Sequence, residues 1–234
     1  MKIAGLQKMT LLDFPGKVAC TIFLDGCNFR CPFCHNSGLL DGRGEAAMTE
    51  ESLFAFLEKR KGILEGVCVT GGEPTLQKGL AEFLGAIKAM GYSVKLDTNG
   101  YRPEVLRSVV DLGLVDYIAM DIKNCPDRYA ETTGASVDLK KIEESIQYLV
   151  SEKVDYEFRT TICNPLHDEQ SIAQMAQWLL ELTDGKGVKA LYLQPFVDRD
   201  TVKMAGFCAP TEADLESYKK ALIHVAKTVV VRGV

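Results

Sequence analysis

Three cysteines fall within eight residues of one another, Cys27, Cys31 and Cys34, in the stretch Gly26-Cys27-Asn28-Phe29-Arg30-Cys31-Pro32-Phe33-Cys34-His35-Asn36 that follows an apolar run. A thiolate is a soft ligand, and three so close in sequence can gather on one compact centre, with zinc or an iron-sulfur cluster as the natural occupants. A structural zinc site normally has four protein ligands. His35 is the one residue near enough to be the fourth, yet it adjoins Cys34, and neighbouring side chains rarely reach one ion. The gaps of three and two residues let successive cysteine Cα atoms separate by roughly 14 Å and 10 Å, ample to wrap a cube of iron and sulfide. Three ligands on such a cube leave one iron open. A zinc-binding or redox-active cysteine module without catalysis is the reading of another class.

Side chains of this kind act only where secondary structure holds them. Short apolar runs rich in β-branched residues alternate with segments of helical period along the 234-residue chain. The alternation argues for parallel βα units in an α/β domain spanning 1–234. Strands are expected over 18–24, 67–70, 93–97, 117–121, 155–161 and 188–194, with 228–231 as a further strand. Helices are expected over 49–61, 80–90, 103–112, 139–151, 169–182 and 211–226. Thr49, Pro103 and Thr211 carry helix-start signals, and Gly62, Gly91 and Gly113 mark helix ends. Periodicity alone leaves an open sheet and an incomplete barrel equally possible.

In both architectures ligand groups gather at the carboxyl ends of the strands. The unusual residues sit there: the cysteine loop, Gly71-Gly72-Glu73-Pro74, Asp97-Thr98-Asn99-Gly100, Asp121-Ile122-Lys123, Arg159-Thr160-Thr161 and Gln194-Pro195-Phe196. Glycines let a ligand approach the backbone closely, and Pro74 stiffens the exit from that turn. Asp97 and Asp121 end neighbouring strands, where two acids need a cation or a proton between them. Lys123 is two residues beyond Asp121, and the Arg159 guanidinium suits a carboxylate.

The Cys-x3-Cys-x2-Cys spacing, with Phe33 before the last cysteine, resembles that of the radical S-adenosylmethionine enzymes. The resemblance implies a partial (βα)6 TIM-like barrel of the radical SAM type, whose cluster loop is residues 26–36. It implies a [4Fe-4S] cluster on Cys27, Cys31 and Cys34, whose open iron holds the methionine end of S-adenosyl-L-methionine, and a 5′-deoxyadenosyl radical made by one-electron cleavage. Gly71-Gly72-Glu73-Pro74 is similar to the family's methionine-amino motif, which assigns Gly72 and Glu73 to the cofactor. Asp-Thr-Asn-Gly and Asp-x-Lys resemble segments of pyruvate formate-lyase activating enzymes, implying a monovalent cation held by Asp97 and Asp121, with Lys123 and Arg159 nearby. Phe33 and His35 would meet the adenine edge. Gln194-Pro195-Phe196-Val197 departs from that subfamily, which carries a histidine against the ribose there.

Leu12-Asp13-Phe14-Pro15-Gly16 and the segment leading to Cys27 resemble glycyl-radical enzyme activases, most closely those of anaerobic ribonucleoside-triphosphate reductase. The implied partners are that reductase, or pyruvate formate-lyase or another glycyl-radical enzyme, and a flavodoxin- or ferredoxin-type electron donor. A net charge of -5 with no basic patch argues against nucleic acid. No apolar run reaches the ~20 residues that span a bilayer, so no membrane partner and a cytoplasmic location are expected. In a reducing compartment Cys20, Cys68, Cys125, Cys163 and Cys208 read as structural thiols. His167 and His224 read as ordinary loop or helix histidines, and the loop 198–210 as a partner-docking element.

Overall fold

A computed structural model describes residues 1–233 and joins eight strands, hydrogen-bonded in strict chain order, into one sheet. β1 (Ile3–Thr10) runs antiparallel to β2 (Ala19–Leu24). From β2 onward every pairing is parallel, through β3 (Gly66–Gly71), β4 (Ser93–Thr98), β5 (Tyr117–Asp121), β6 (Asp155–Ile162), β7 (Val188–Pro195) and β8 (Ala226–Val231). The crossovers carry α1 (Glu50–Arg60), α2 (Leu80–Ala89), α3 (Pro103–Asp111), α4 (Pro126–Thr133), α5 (Leu139–Leu149), α6 (Glu169–Leu182) and α7 (Glu212–Leu222). A strand order that never reverses, with crossovers of one hand, keeps the helices on one face and curls the sheet. The result is six βα units closed by β8, a partial barrel of the expected kind, with β1 and β8 as its two edges.

The period of two along each strand sorts the residues. One set, including Val67, Val69, Val94, Leu96, Ile118, Met120, Phe158, Leu191 and Leu193, is buried in the main apolar core beneath the helices. The alternate set, Cys68, Lys95, Asp97, Asp121, Glu157 and Arg159, meets across the inner face of the curve. The inner face is therefore polar while the outer face is a hydrocarbon layer.

Two elements were not expected from the sequence. β1 lacks clean alternation and no helix follows it, so its signal is weak; it is held as an edge by register with β2. α4 is eight residues long and ends in Glu-Thr-Thr, residues of middling to poor helix propensity, although Pro126 at its first turn is a start signal. The last helix stops at Leu222, short of the expected 226, because Ala226 already pairs with Val188 in β8.

Arg232, just past β8, reaches over the Tyr192 ring of β7, its Cζ 3.5 Å from the centroid. It pairs with the fully buried Glu157 of β6 at 2.9 and 3.0 Å, and the Tyr117 hydroxyl donates to the same carboxylate at 3.0 Å. Arg232→Ala leaves that buried carboxylate with a phenol as its remaining donor. Breaking a fully buried pair costs roughly 3–5 kcal/mol. Because the guanidinium is 34% exposed, the expected loss is about 2 kcal/mol, read as a lowered urea midpoint of the cluster-free protein. A midpoint equal to that of the parent would show that Glu157 does not depend on Arg232.

Candidate functional site

The cysteine loop begins where β2 ends, and backbone crowding fixes its course. Gly71 ends β3 and Gly72 follows it, both directly against the start of the cysteine loop: the Gly72 N–H donates to Leu24 O at 2.9 Å and the Glu73 N–H to Gly26 O at 2.8 Å. A Cβ on Gly72 would sit 2.1 Å from Gly26 O, and one on Gly71, whose φ is +125°, 2.3 Å from Leu24 N and O. No side chain fits at either position, which is the physical need behind the paired glycines. On its other flank the loop is tied to α4, since the Arg30 N–H donates to Thr133 O at 2.7 Å and Gly134 leaves no room for a Cβ beneath Arg30 O. Phe29 is buried against Tyr101 in the main core, while Phe33 enters a separate cluster with Cys163, Leu166, Phe196 and Phe207. Two aromatic anchors thus bracket Cys31.

A cavity of about 420 Å³ opens at this end of the barrel, and its wall includes every residue that the sequence assigned to the cluster, the cofactor or the cation. Cys27, Cys31, Cys34, Phe33 and His35 form one side, Gly72 and Glu73 the next, and Asp97, Asp121, Lys123 and Arg159 the floor. Burial pushes the Cys27 thiol up to about 12, and raises that of Cys31 against the pull of Lys123. Protein groups alone therefore leave these two sulfurs as thiols, and cationic iron would supply the charge that makes them thiolates. Asn28 Nδ2, within the loop, is buried without a hydrogen-bond partner. An unpaired donor among the three thiols fits a sulfide-rich acceptor.

The acidic residues are fully engaged. Arg159 spans them, Nη1 to Asp97 Oδ2 at 3.0 Å and Nε to Asp121 Oδ1 at 2.9 Å. Lys123 Nζ takes Asp121 Oδ2 at 2.9 Å, and the buried Lys95 ammonium takes Asp97 Oδ1. Burial opposes ionisation of Asp121, yet Arg159 and Lys123 hold it down at about 2, and Arg159 with Lys95 likewise keeps Asp97 below the usual carboxylate range. Each carboxylate oxygen of the two acids thus has one side-chain cation beside it, and three such cations supply counter-charge at the place where a monovalent cation was expected. Lys95 was missed because one lysine in an alternating strand reads as a solvent-facing position.

Glu73, expected at the cofactor, lines the cavity and is also bonded widely within the protein. Its carboxylate accepts from Thr75 N at 3.1 Å, Thr75 Oγ1 at 2.5 Å, Thr98 Oγ1 at 2.7 Å and Asn99 N at 2.6 Å. Burial raises its pKa despite these donors. The carboxylate thus locks the β3 turn to the end of β4, with Gly72 and Glu73 in the cavity wall. Asn99 extends the lock by donating to Asn28 Oδ1 at 2.8 Å. The His35 ring stacks on Phe196 at 5.6 Å and its Nε2 bonds Val197 O at 2.6 Å. Buried His167 joins the ends of β5 and β6, accepting from the Cys163 N–H at 3.1 Å and bonding Lys123 O at 2.9 Å. The loop 198–210 is pinned to the same neighbourhood, through Ser37 to Thr201 O and through mutual backbone bonds between Asn164 and Cys208.

The radical SAM superfamily pattern matches residues 21–179. A protein of Methanocaldococcus jannaschii named as a glycyl-radical enzyme activating enzyme is 33% identical over 180 residues, 75% of this chain and 74% of that one. A 7-carboxy-7-deazaguanine synthase of Koribacter versatilis is 32% identical over 145 residues, 58% of this chain and 57% of its own. Among solved structures, a domain of pyruvate-formate lyase-activating enzyme from Bacteroides vulgatus shares the fold with a TM-score of 0.58 at 20% identity, over 72% of this chain and 99% of that domain.

Gly72→Ala is expected to cut iron bound per chain severalfold after anaerobic reconstitution, since the added Cβ would lie 2.1 Å from Gly26 O. Gly38→Ala, with nothing within 4 Å of its added Cβ, is the control that should load normally. Equal loading of both variants would mean that the backbone approach is dispensable.

Proposed function

We infer the function from the family: this chain belongs to the radical S-adenosylmethionine superfamily, and we propose that it activates a glycyl-radical enzyme, with anaerobic ribonucleoside-triphosphate reductase as the target. The observation that carries this reading is the single cavity onto which the three thiols, the Gly72 turn and the Arg159 charge network all open. Its similarity to the Methanocaldococcus activating enzyme supports the reaction class. The departure at Gln194-Pro195-Phe196-Val197 favours the reductase over pyruvate formate-lyase, the second reading, which draws support from the shared fold of that enzyme's activase domain.

When bound, the [4Fe-4S] cluster and S-adenosyl-L-methionine supply a 5′-deoxyadenosyl radical by one-electron cleavage of the sulfonium. The protein's part is placement and exclusion of water. Cys27, Cys31 and Cys34 would hold the cluster. The backbone at Gly72 and Glu73, steadied by the Glu73 lock to Thr75, Thr98 and Asn99, would receive the amino group of the cofactor. Arg159 and Lys123 would offer positive charge to its carboxylate, and Lys95 balances Asp97. Phe33 and His35, braced by Phe196, bound the adenine side. The substrate is the Cα–H of a glycine in the partner, and the electron comes from a flavodoxin- or ferredoxin-type donor.

The chain 1–234 acts as one unit in the cytoplasm without membrane or nucleic-acid partners. Among the described residues no helix is long and apolar enough to cross a membrane. Among the described residues no cysteine is paired in a disulfide. The loop 198–210, lying over Phe33 and Ser37, docks the partner through its exposed Met204.

Anaerobically reconstituted protein, reduced with S-adenosylmethionine present, should release 5′-deoxyadenosine, and Cys31→Ala should abolish it. Product from the Cys31→Ala protein would overturn the cluster assignment. With the reductase added, the glycyl-radical electron paramagnetic resonance doublet should appear, whereas a doublet given by pyruvate formate-lyase alone would move the target to the second reading. Met204→Asp is expected to cut the rate of glycyl-radical formation about tenfold, equivalent to a loss of about 1.4 kcal/mol, while leaving partner-free 5′-deoxyadenosine release unchanged. Replacing potassium by choline at equal ionic strength should leave that release unchanged as well. A strict potassium requirement would show that a metal cation displaces one of the side-chain cations.

A further inference from the structure

We propose that Lys95, which does not itself reach the cavity, is a positioning residue for the carboxylate end of the cofactor: by answering Asp97 from beneath, it leaves the floor one net positive charge. This inference rests on the cofactor reading above. Lys95 lies on the inner face of β4 and is 1% exposed, and a lysine is almost never buried so completely without a partner. Its ammonium takes Asp97 Oδ1 and lies 3.7 Å from the sulfur of Cys68, its register partner on β3. The Cys68 thiol donates to the same Asp97 oxygen at 3.6 Å. Tyr117, the register partner on β5, gives its hydroxyl to Glu157 instead. The ammonium is thus committed to Asp97, and of the two residues only Asp97 lines the cavity.

Its consequence for a ligand follows from the charge count. Asp97 Oδ2 takes Arg159 Nη1 at 3.0 Å, Arg159 Nε takes Asp121 Oδ1 at 2.9 Å, and Lys123 Nζ takes Asp121 Oδ2 at 2.9 Å. Lys95, Arg159 and Lys123 are three cations against two carboxylates, so one positive charge is in excess. Without Lys95 the count is two against two, and the cavity-lining cations, Arg159 and Lys123, are neutralised by the acids they already hold. Glu157, the next acid on the inner face, stays out of this count because Arg232 answers it at 2.9 and 3.0 Å. Asp13 and Glu73, elsewhere in the wall, are engaged by hydroxyl and backbone donors and draw no cation from the floor. A carboxylate settling on Arg159 and Lys123 therefore gains its attraction from a lysine it never touches.

Lys95→Met keeps the length of the side chain and removes its charge. The test is equilibrium dialysis of S-adenosylmethionine, and of 5′-methylthioadenosine, which lacks the amino-acid end, against reconstituted parent and variant, with iron content measured on the same samples. Expected is about tenfold weaker binding of S-adenosylmethionine, the scale of one unit charge acting across several ångströms of poorly solvated protein, with 5′-methylthioadenosine bound as by the parent. The double variant Lys95→Met/Asp97→Asn removes one charge of each sign and leaves Arg159 and Lys123 against Asp121 alone. It should recover S-adenosylmethionine binding close to the parent's, and it decides the question if the single variant does not fold. Equal weakening of both ligands would make Lys95 a packing residue and overturn its role. Parent-like binding by the single variant, or a double variant as weak as is expected of the single one, would overturn it too. A parent protein that loads iron yet binds no S-adenosylmethionine would instead overturn the cofactor reading and this inference with it.

Discussion

The contact on which the site depends is the one between two backbones, at the ends of β2 and β3. Leu24 and Gly26 receive the N–H groups of Gly72 and Glu73, and a methyl group on either Gly71 or Gly72 would overlap the opposing main chain. Parallel neighbours place both loops on the same rim. The absence of side chains lets the rim close until the cysteine loop and the cofactor-facing turn share one wall. From there the geometry propagates: the Glu73 carboxylate secures the turn to Thr98 and Asn99 at the end of β4, and Asn99 returns to Asn28 beside Cys27. A closed circuit of hydrogen bonds thus runs through three strand ends.

Beneath that circuit the inner face holds charge rather than hydrocarbon. Lys95, Asp97, Arg159, Asp121 and Lys123 form a chain of ion pairs in which three cations oppose two anions. Breaking such a chain at any point would leave an uncompensated charge in a poorly solvated space. Its excess positive charge is the physical reason that a carboxylate-bearing ligand suits this floor. The same pairing keeps the two acids ionised across the neutral range and removes the repulsion that a metal cation would otherwise have to offset.

Rigidity on one side of the cysteine loop contrasts with openness on the other. Phe29 and α4 hold its inner flank to the main core, whereas Phe33, Phe196 and Phe207 build a smaller apolar cluster under the loop 198–210. That smaller cluster contains few buried side chains, so the cover it supports is the part of the site best placed to yield to a large partner.

Much was legible in the residues themselves. The cysteine spacing, the paired glycines and the strand-end acids carry local chemical demands, and such demands show in sequence order. The βα alternation was equally plain, because strand and helix periods differ, whereas the choice of a partial barrel over an open sheet came from the family resemblance. Lys95 and Arg232 were not legible, since each matters through a partner reached only in the fold: Arg232 on Glu157, Lys95 on an inner face that exists only once the sheet curls. The Glu73 carboxylate likewise reads as a ligand group until the end of β4 arrives to occupy it. The sequence by itself determined which chemistry gathers at the strand ends, because those requirements are local; the tertiary structure alone decided which charges and hydroxyls are left for a ligand, because that depends on which partners the fold brings within hydrogen-bonding distance.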